Sequence, residues 1–186
     1  MRHKRIHERA KLLDQLIVEF NASRHGTQLP RQQIFAAIPL LFPGSKHAGK
    51  GVFKTVFKVS SRSRDLVIKI ARPRSLRNDL EAYRKIPKTI RNRYFAKIYW
   101  STRYCLLQKY GEEVSVPEGR RKDLAKKVAQ YGLVDVKYAN IRMIDGAFKI
   151  VDANLTRAKN QGNSKKQKRR QFGWPSLTDY ESTIVS

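Results

Sequence analysis

The run Leu133-Val-Asp135-Val-Lys137-Tyr-Ala-Asn140-Ile-Arg-Met-Ile144-Asp-Gly146-Ala-Phe-Lys-Ile-Val-Asp152 decides how this chain is read. Residues 141–144 and 147–151 are short β-prone runs, and the Asp145-Gly146 pair between them favours a tight two-residue hairpin turn. With those two residues in the turn, Ile144 faces Ala147. Counting outward sets Asn140 opposite Val151 and Ala139 opposite Asp152. An amide oxygen and a carboxylate therefore meet at the open end of the hairpin, next to Asp135 and Lys137. Hard oxygen donors grouped in this way suit a small divalent cation held between protein and phosphate. One such polar residue at a strand end is ordinary; all four at this spacing are uncommon.

Upstream, residues 52–59 and 66–71 read as two strands joined by a turn over 60–65. A helix is predicted from near Ser75 to just before Pro87, then a second hairpin over 94–100 and 104–109. Residues 121–131 read as a further helix, closed by Gly132. At the N-terminus Ile6, Ala10, Leu13, Ile17 and Phe20 repeat at steps of three and four, the spacing of one buried helix face. Residues 21–26 end that helix, a shorter helical segment covers 32–38, and Pro39 and Pro43 mark its exit.

Within this framework two further features bear on phosphate chemistry. Gly44-Ser-Lys-His-Ala-Gly49-Lys-Gly51 follows the P-loop pattern up to its last position, where Gly51 lacks the hydroxyl needed for magnesium, and a strand follows where a helix is required. Gly49 and Gly51 suit instead a glycine turn between antiparallel strands, which lays backbone N–H groups over a nucleotide. Lys69 is the one charge in the apolar strand Leu66-Val67-Ile-Lys69-Ile-Ala71, and alternation puts it on one face with Val67 and Ala71. A lysine so placed either reaches water at an edge or has an anionic partner. Glu81, on the following helix, is the expected partner, with a surface pair to Lys85 as its alternative.

Forty Lys and Arg against fifteen Asp and Glu give the 186-residue chain a formal charge of +25. That surplus points to polyanions, either nucleic acid or acidic protein. Seven basic residues and no acid between Arg157 and Arg170, with the basic N-terminal helix carrying Arg2, Lys4, Arg5, Arg9 and Lys11, are the expected contact surfaces. A membrane surface is the lesser option for that helix, because most such stripes pack on their own domain. The lone cysteine, Cys105, reads as a buried thiol in a reducing, cytoplasmic setting. The apolar run 34–42 is short and contains Pro39, so neither a transmembrane helix nor a signal peptide is expected. His3 and His7 lack further ligands for a metal. Tyr94, Phe95, Tyr99, Trp100 and Tyr104 among Arg91, Arg93 and Arg103 could stack bases, though cross-strand packing is the commoner use of such residues.

Taken in order, the stretch from Gly49 to Leu155 resembles the protein-kinase-like superfamily, and in particular small bacterial kinase-like proteins with a truncated C-terminal lobe, the YrbL type. The resemblance implies an α+β kinase-like fold with an antiparallel N-lobe sheet and a strongly reduced C-lobe. It implies an ATP site built from Gly49, Gly51, Val67, Lys69 and Glu81, with Gln108 and Tyr110 in the adenine-binding hinge. Asn140 and Asp152 correspond to the magnesium ligands, Asp135 to the catalytic aspartate, and Lys137 to the lysine two residues on in Ser/Thr-type kinases. Lys54 stands where a third loop glycine is usual, Leu133-Val134 replace His-Arg, and Ala153-Asn154 replace Phe-Gly. The implied activity is ATP- and magnesium-dependent transfer to a hydroxyl, Ser or Thr of a protein before a small molecule. The rival is a kinase-fold module that binds RNA or the ribosome with little or no catalysis. The implied division is a helical extension over 1–43 packed on the domain, a minimal catalytic domain over 44–156, a basic flexible segment over 157–171 and a docking tail over 172–186.

Overall fold

The N-terminal periodicity becomes a helix, α1 (Arg2–Ala22), and a second helix, α2 (Arg31–Leu41), follows. The computed structural model describes residues 2–22, 30–50, 54–61, 64–134, 136–152 and 154–155. These lie in the unit Met1–Thr156, whereas the expected basic segment and docking tail fall in Arg157–Ser186, outside the described residues. Helix α2 runs past Pro39, where its exit was expected. Pro39 removes one backbone donor in the last turn, but Ile34, Ile38 and Phe42 keep one face buried through that turn, and the Phe42 N–H closes it on the Ile38 carbonyl at 2.7 Å.

Five antiparallel strands follow: β1 (Lys46–Lys50), β2 (Lys54–Ser61), β3 (Arg64–Ala71), β4 (Ile98–Ser101) and β5 (Cys105–Lys109). Their order in the sheet is β1-β2-β3-β5-β4. The β2–β3 hairpin has the expected strands, with Lys54 opposite Ala71 and Val56 opposite Lys69. Strand β1, which the glycine pattern concealed, pairs with β2 through an irregularity between His47 and Gly49. Helix α3 (Pro73–Lys85) joins β3 to the rest. The segment from Tyr94, expected to be extended, instead ends a short helix, α4 (Lys88–Tyr94), and β4 begins only at Ile98.

Strand alternation gives the sheet two different faces. Leu66, Ile68, Ile70, Cys105 and Leu107 point to one side and share a core with Ala10, Leu13 and Ile17 of α1, with Ile34 and Ile38 of α2, and with Phe42 just past its end. Asp14 of α1 accepts the backbone N–H groups of Arg103 and Tyr104 at 2.8 and 3.0 Å, tying the helix to the β4–β5 turn. Burial, with the charge of Asp14 beside it, pushes the Cys105 thiol well above its usual range. Val67, Lys69, Ala71, Leu106 and Gln108 occupy the opposite face, where Ala71 and Leu106 pack on Leu76 of α3.

A second core joins Ala82 of α3 and Ile86, just past its end, to Phe95, to Leu124 and Val128 of α5 (Glu118–Ala129), and to Leu133, Val136, Ile141 and Ile150. Its strands are the pair β6 (Leu133–Val134) with β9 (Asn154–Leu155) and the hairpin β7 (Ile141–Ile144) with β8 (Ala147–Ile150). The hairpin has the register expected from its turn: Ile144 opposite Ala147, and Asp145 and Gly146 both at positive φ, 51° and 72°. Those angles are the type I′ geometry that Asp-Gly favours. The architecture is mixed α+β. Among the described residues no helix is long and apolar enough to cross a membrane.

The chain passes from the sheet to the second core at Tyr110-Gly111-Glu112. Glu112 exchanges both backbone hydrogen bonds with Met143 at 3.0 Å, and Lys109 pairs with Asp145 of the hairpin turn. A β-carbon on Gly111 would lie 2.5 Å from Cβ of Arg142 and 2.6 Å from Cγ1 of Ile144, atoms held by their own backbone. Gly111→Ala should therefore destabilise the protein by about 1–3 kcal/mol through overpacking. The check is the urea unfolding midpoint; an unchanged value would mean that the connector does not dock on the hairpin in this way.

Candidate functional site

The polar face of the sheet, α3 and the end of the β7–β8 hairpin bring four charged groups together. Lys69 is 6% exposed, and its ammonium donates to the Val151 carbonyl at 2.6 Å. The Val151 N–H donates to the Asn140 carbonyl at 2.9 Å, the pairing expected from the hairpin register. Asp152, the next residue, accepts hydrogen bonds from Lys54 at 2.9 and 3.0 Å. The same Lys54 ammonium reaches both carboxylate oxygens of Asp79 at 2.7 Å. Lys54 on β2, Asp79 on α3 and Asp152 after β8 thus share one cation across three elements.

Burial dominates the electrostatics of this cluster. It draws the Lys69 ammonium below the usual lysine range even though Asp152 and Asp79 favour the charge. Burial, joined by the negative charge of Asp152, also pushes the Asp79 carboxyl above the ordinary carboxylate value. Burial would raise Asp152 as well, yet Lys69 and Lys54 hold it below. For Lys54 burial opposes the charge, and the two aspartates more than offset it, leaving the ammonium above its ordinary value.

Behind Lys69 lies a cavity of about 20 Å³, lined among others by Asp79, Tyr83, Gln108, Val151 and Asp152. That volume admits one water-sized group and no nucleoside. Gln108 donates through Nε2 to the carbonyls of Val151 and Ala96 at 3.3 and 3.5 Å. Two carbonyl acceptors fix which end of the amide faces them, and Oε1 is left buried without a hydrogen-bond partner among the described residues.

Two expected positions differ in placement. Glu81 lies on the exposed side of α3, and Asp79 is the acid turned to the site. At 100° per residue Asp79 falls within the arc of Leu76, Ala82 and Ile86, while Glu81 is about 140° around the helix from Leu76. That periodicity was available in the sequence; the position of Glu81 relative to Lys69 obscured it. Gln108 is not in a hinge. It sits inside β5, paired with Val67 on one side and Ile98 on the other, so its backbone belongs to the ladder and cannot serve a base. Strand β5 extends to Lys109, and Tyr110 begins the connector, its N–H bonded to the Asp65 carbonyl at 2.9 Å.

The remaining positions are distributed as follows. Gly49 lies in β1 beside the irregularity, and β1 and β2 flank residues 51–53, so Gly51 falls outside the described residues. Val67 is buried on the Lys69 face of the sheet. Asn140 ends the 3₁₀ turn Tyr138–Asn140, half-buried, with exposed Lys137 preceding that turn. Asp135 lies outside the described residues, as does the segment from Arg157 to Arg170. His7 packs against Trp100 with ring centroids 4.9 Å apart, and no cluster of metal-binding side chains occurs among the described residues. Lys54 and Asp79 are the two site residues that sequence reading missed. No protein-family model matches the chain, and no curated protein matches it.

The carboxylates of Asp152 and Asp79 are hard oxygen donors of the kind a divalent cation takes. The ammonium of Lys54 is held by both carboxylates at 2.7–3.0 Å. Removing it leaves a buried carboxylate uncompensated. Lys54→Met should destabilise the protein by about 3–5 kcal/mol, and Lys54→Met/Asp79→Asn should recover a substantial part of that loss. Urea denaturation of the two variants is the check, and additive losses would show that Lys54 and Asp79 do not interact.

Proposed function

We propose that the chain catalyses ATP- and magnesium-dependent phosphoryl transfer to a hydroxyl, most readily a Ser or Thr of a protein. The observation that carries this reading is at the Val151 peptide, which precedes Asp152: its carbonyl accepts from Lys69 of β3, and its N–H donates to the Asn140 carbonyl across the open end of the hairpin. It is supported by the strand order β1-β2-β3-β5-β4 with α3 between β3 and β4, and by a glycine-bearing connection between β1 and β2. A protein-kinase-like fold with a much reduced second lobe accounts for all of these together.

Bound magnesium-ATP supplies a transferable γ-phosphoryl group with its charge partly neutralised. In this reading Asp152 and Asn140 hold the metal, and Lys69 holds phosphate oxygens. Asp79 takes the place of Glu81 as the acidic residue of α3. The 20 Å³ recess is too small for the base, which this reading assigns instead to the neighbourhood of Val67 and Tyr110. Asp135 orients the attacking hydroxyl and takes its proton, while Lys137 offsets charge on the transferred group. The polyanion-binding reading remains its companion, because α1 buries its apolar side and leaves Lys4, Arg5 and Lys11 exposed.

Magnesium-ATP at 100 times its Kd should stabilise the folded protein by about 2.7 kcal/mol, read as a rise in Tm. Asp135→Asn should retain that rise and lower transfer to protein substrates by roughly 10²-fold or more, followed with labelled ATP and mapping of the modified residue. An unmoved Tm in wild type, with a rise on adding RNA alone, would leave the polyanion module as the function.

A further inference from the structure

We infer that Lys54 is an exchangeable counter-ion of the site, one that couples the binding of a divalent cation to the binding of a phosphate chain. The inference rests on the nucleotide reading above and adds a residue which the sequence pattern had treated as a departure. Lys54 opens β2, and its side chain ties the start of that strand to α3 and to the residue following β8. Its side chain is 14% exposed, that of Asp79 9% and that of Asp152 28%. Asp152 is the more accessible of its two carboxylates, so the Lys54–Asp152 half of the bridge is the half a cation from solvent can reach. The Lys54–Asp79 half, at 2.7 Å to both oxygens, stays closed.

A divalent cation arriving alone would displace the ammonium from Asp152 and stand beside it, adding two positive charges to a site where Asp79 and Asp152 already face Lys54 and Lys69. A phosphate chain arriving alone would meet Asp152 still paired with Lys54. Arriving together, they exchange partners: the cation takes Asp152, and Lys54 turns from Asp152 to a phosphate oxygen. No buried charge is then left unpaired at any stage, which is the condition under which such groups can move at low cost. Binding of the two ligands is therefore cooperative through Lys54, and by linkage each raises the affinity of the other by the same factor.

The test uses Mn²⁺, read by its electron paramagnetic resonance, with and without saturating inorganic pyrophosphate, on the full-length protein. In wild type pyrophosphate should tighten Mn²⁺ binding about tenfold beyond the effect of Mn²⁺–pyrophosphate complexation in solution, within the usual range for coupled sites. In Lys54→Met, Mn²⁺ alone should bind more tightly than to wild type, and the enhancement by pyrophosphate should fall to within about twofold. Lys54→Met/Asp79→Asn, which has no orphaned carboxylate at position 79, keeps the comparison available if the single variant does not fold. Undiminished enhancement in either folded variant overturns the role of Lys54 while leaving the nucleotide site standing. Wild-type protein that binds neither Mn²⁺ nor Mn²⁺–pyrophosphate overturns the nucleotide reading, and this inference with it.

Discussion

One ammonium group shared between two carboxylates holds the functional face of this protein together. Lys54 reaches Asp79 and Asp152 at distances of 2.7–3.0 Å, and the three residues come from a strand, a helix and a hairpin end that apolar packing also brings together. Beside it Lys69, a second buried ammonium, bonds the Val151 carbonyl. Two lysines and two aspartates are thus confined together, where burial opposes each charge and the groups of opposite sign favour it. Such clusters contribute little net stability, since desolvation consumes most of the Coulomb energy. Their importance lies in specifying geometry: any slip of α3 or the hairpin would leave a buried charge alone.

The cluster can exist because the sheet is covered differently on its two sides. Helices α1 and α2 close one face with aliphatic side chains, and Asp14 fastens α1 to the β4–β5 turn through two backbone N–H groups. That packing supplies the apolar burial on which the domain depends. The opposite face can then hold Lys69 and Gln108 in central strands, where a polar residue would otherwise be costly. Buried charge and aliphatic packing are divided between the faces of one sheet, as strand alternation permits.

Charge is partitioned in a related way. Of the fifteen acidic residues, Asp14, Asp79 and Asp152 are committed to internal hydrogen bonds and ion pairs, so they do little to offset the basic surface. Several exposed or half-buried basic groups lie over aromatic rings, such as Lys58 over Tyr110 at 4.1 Å and Arg121 over Tyr138 at 5.1 Å. A surface built in this way favours anions at long range.

Local patterns were enough for much of the fold. The three- and four-residue spacing determined α1, alternation and an Asp-Gly turn determined the β7–β8 hairpin with its register, and that register already brought Asn140 beside Asp152. Helix α4 and strand β1 were not legible, because α4 has only seven residues and β1 carries a glycine pattern that reads equally well as a turn. Asp79 was within reach of helical periodicity, but nothing local singled out Lys54: its spacing is that of an ordinary solvated lysine. Whether a charged residue is solvated or buried depends on what approaches it from elsewhere in the chain. Asp79 lies 25 residues from Lys54 and Asp152 lies 98 away, and only the packing of α3 and the hairpin against the sheet decides that these three side chains share one site.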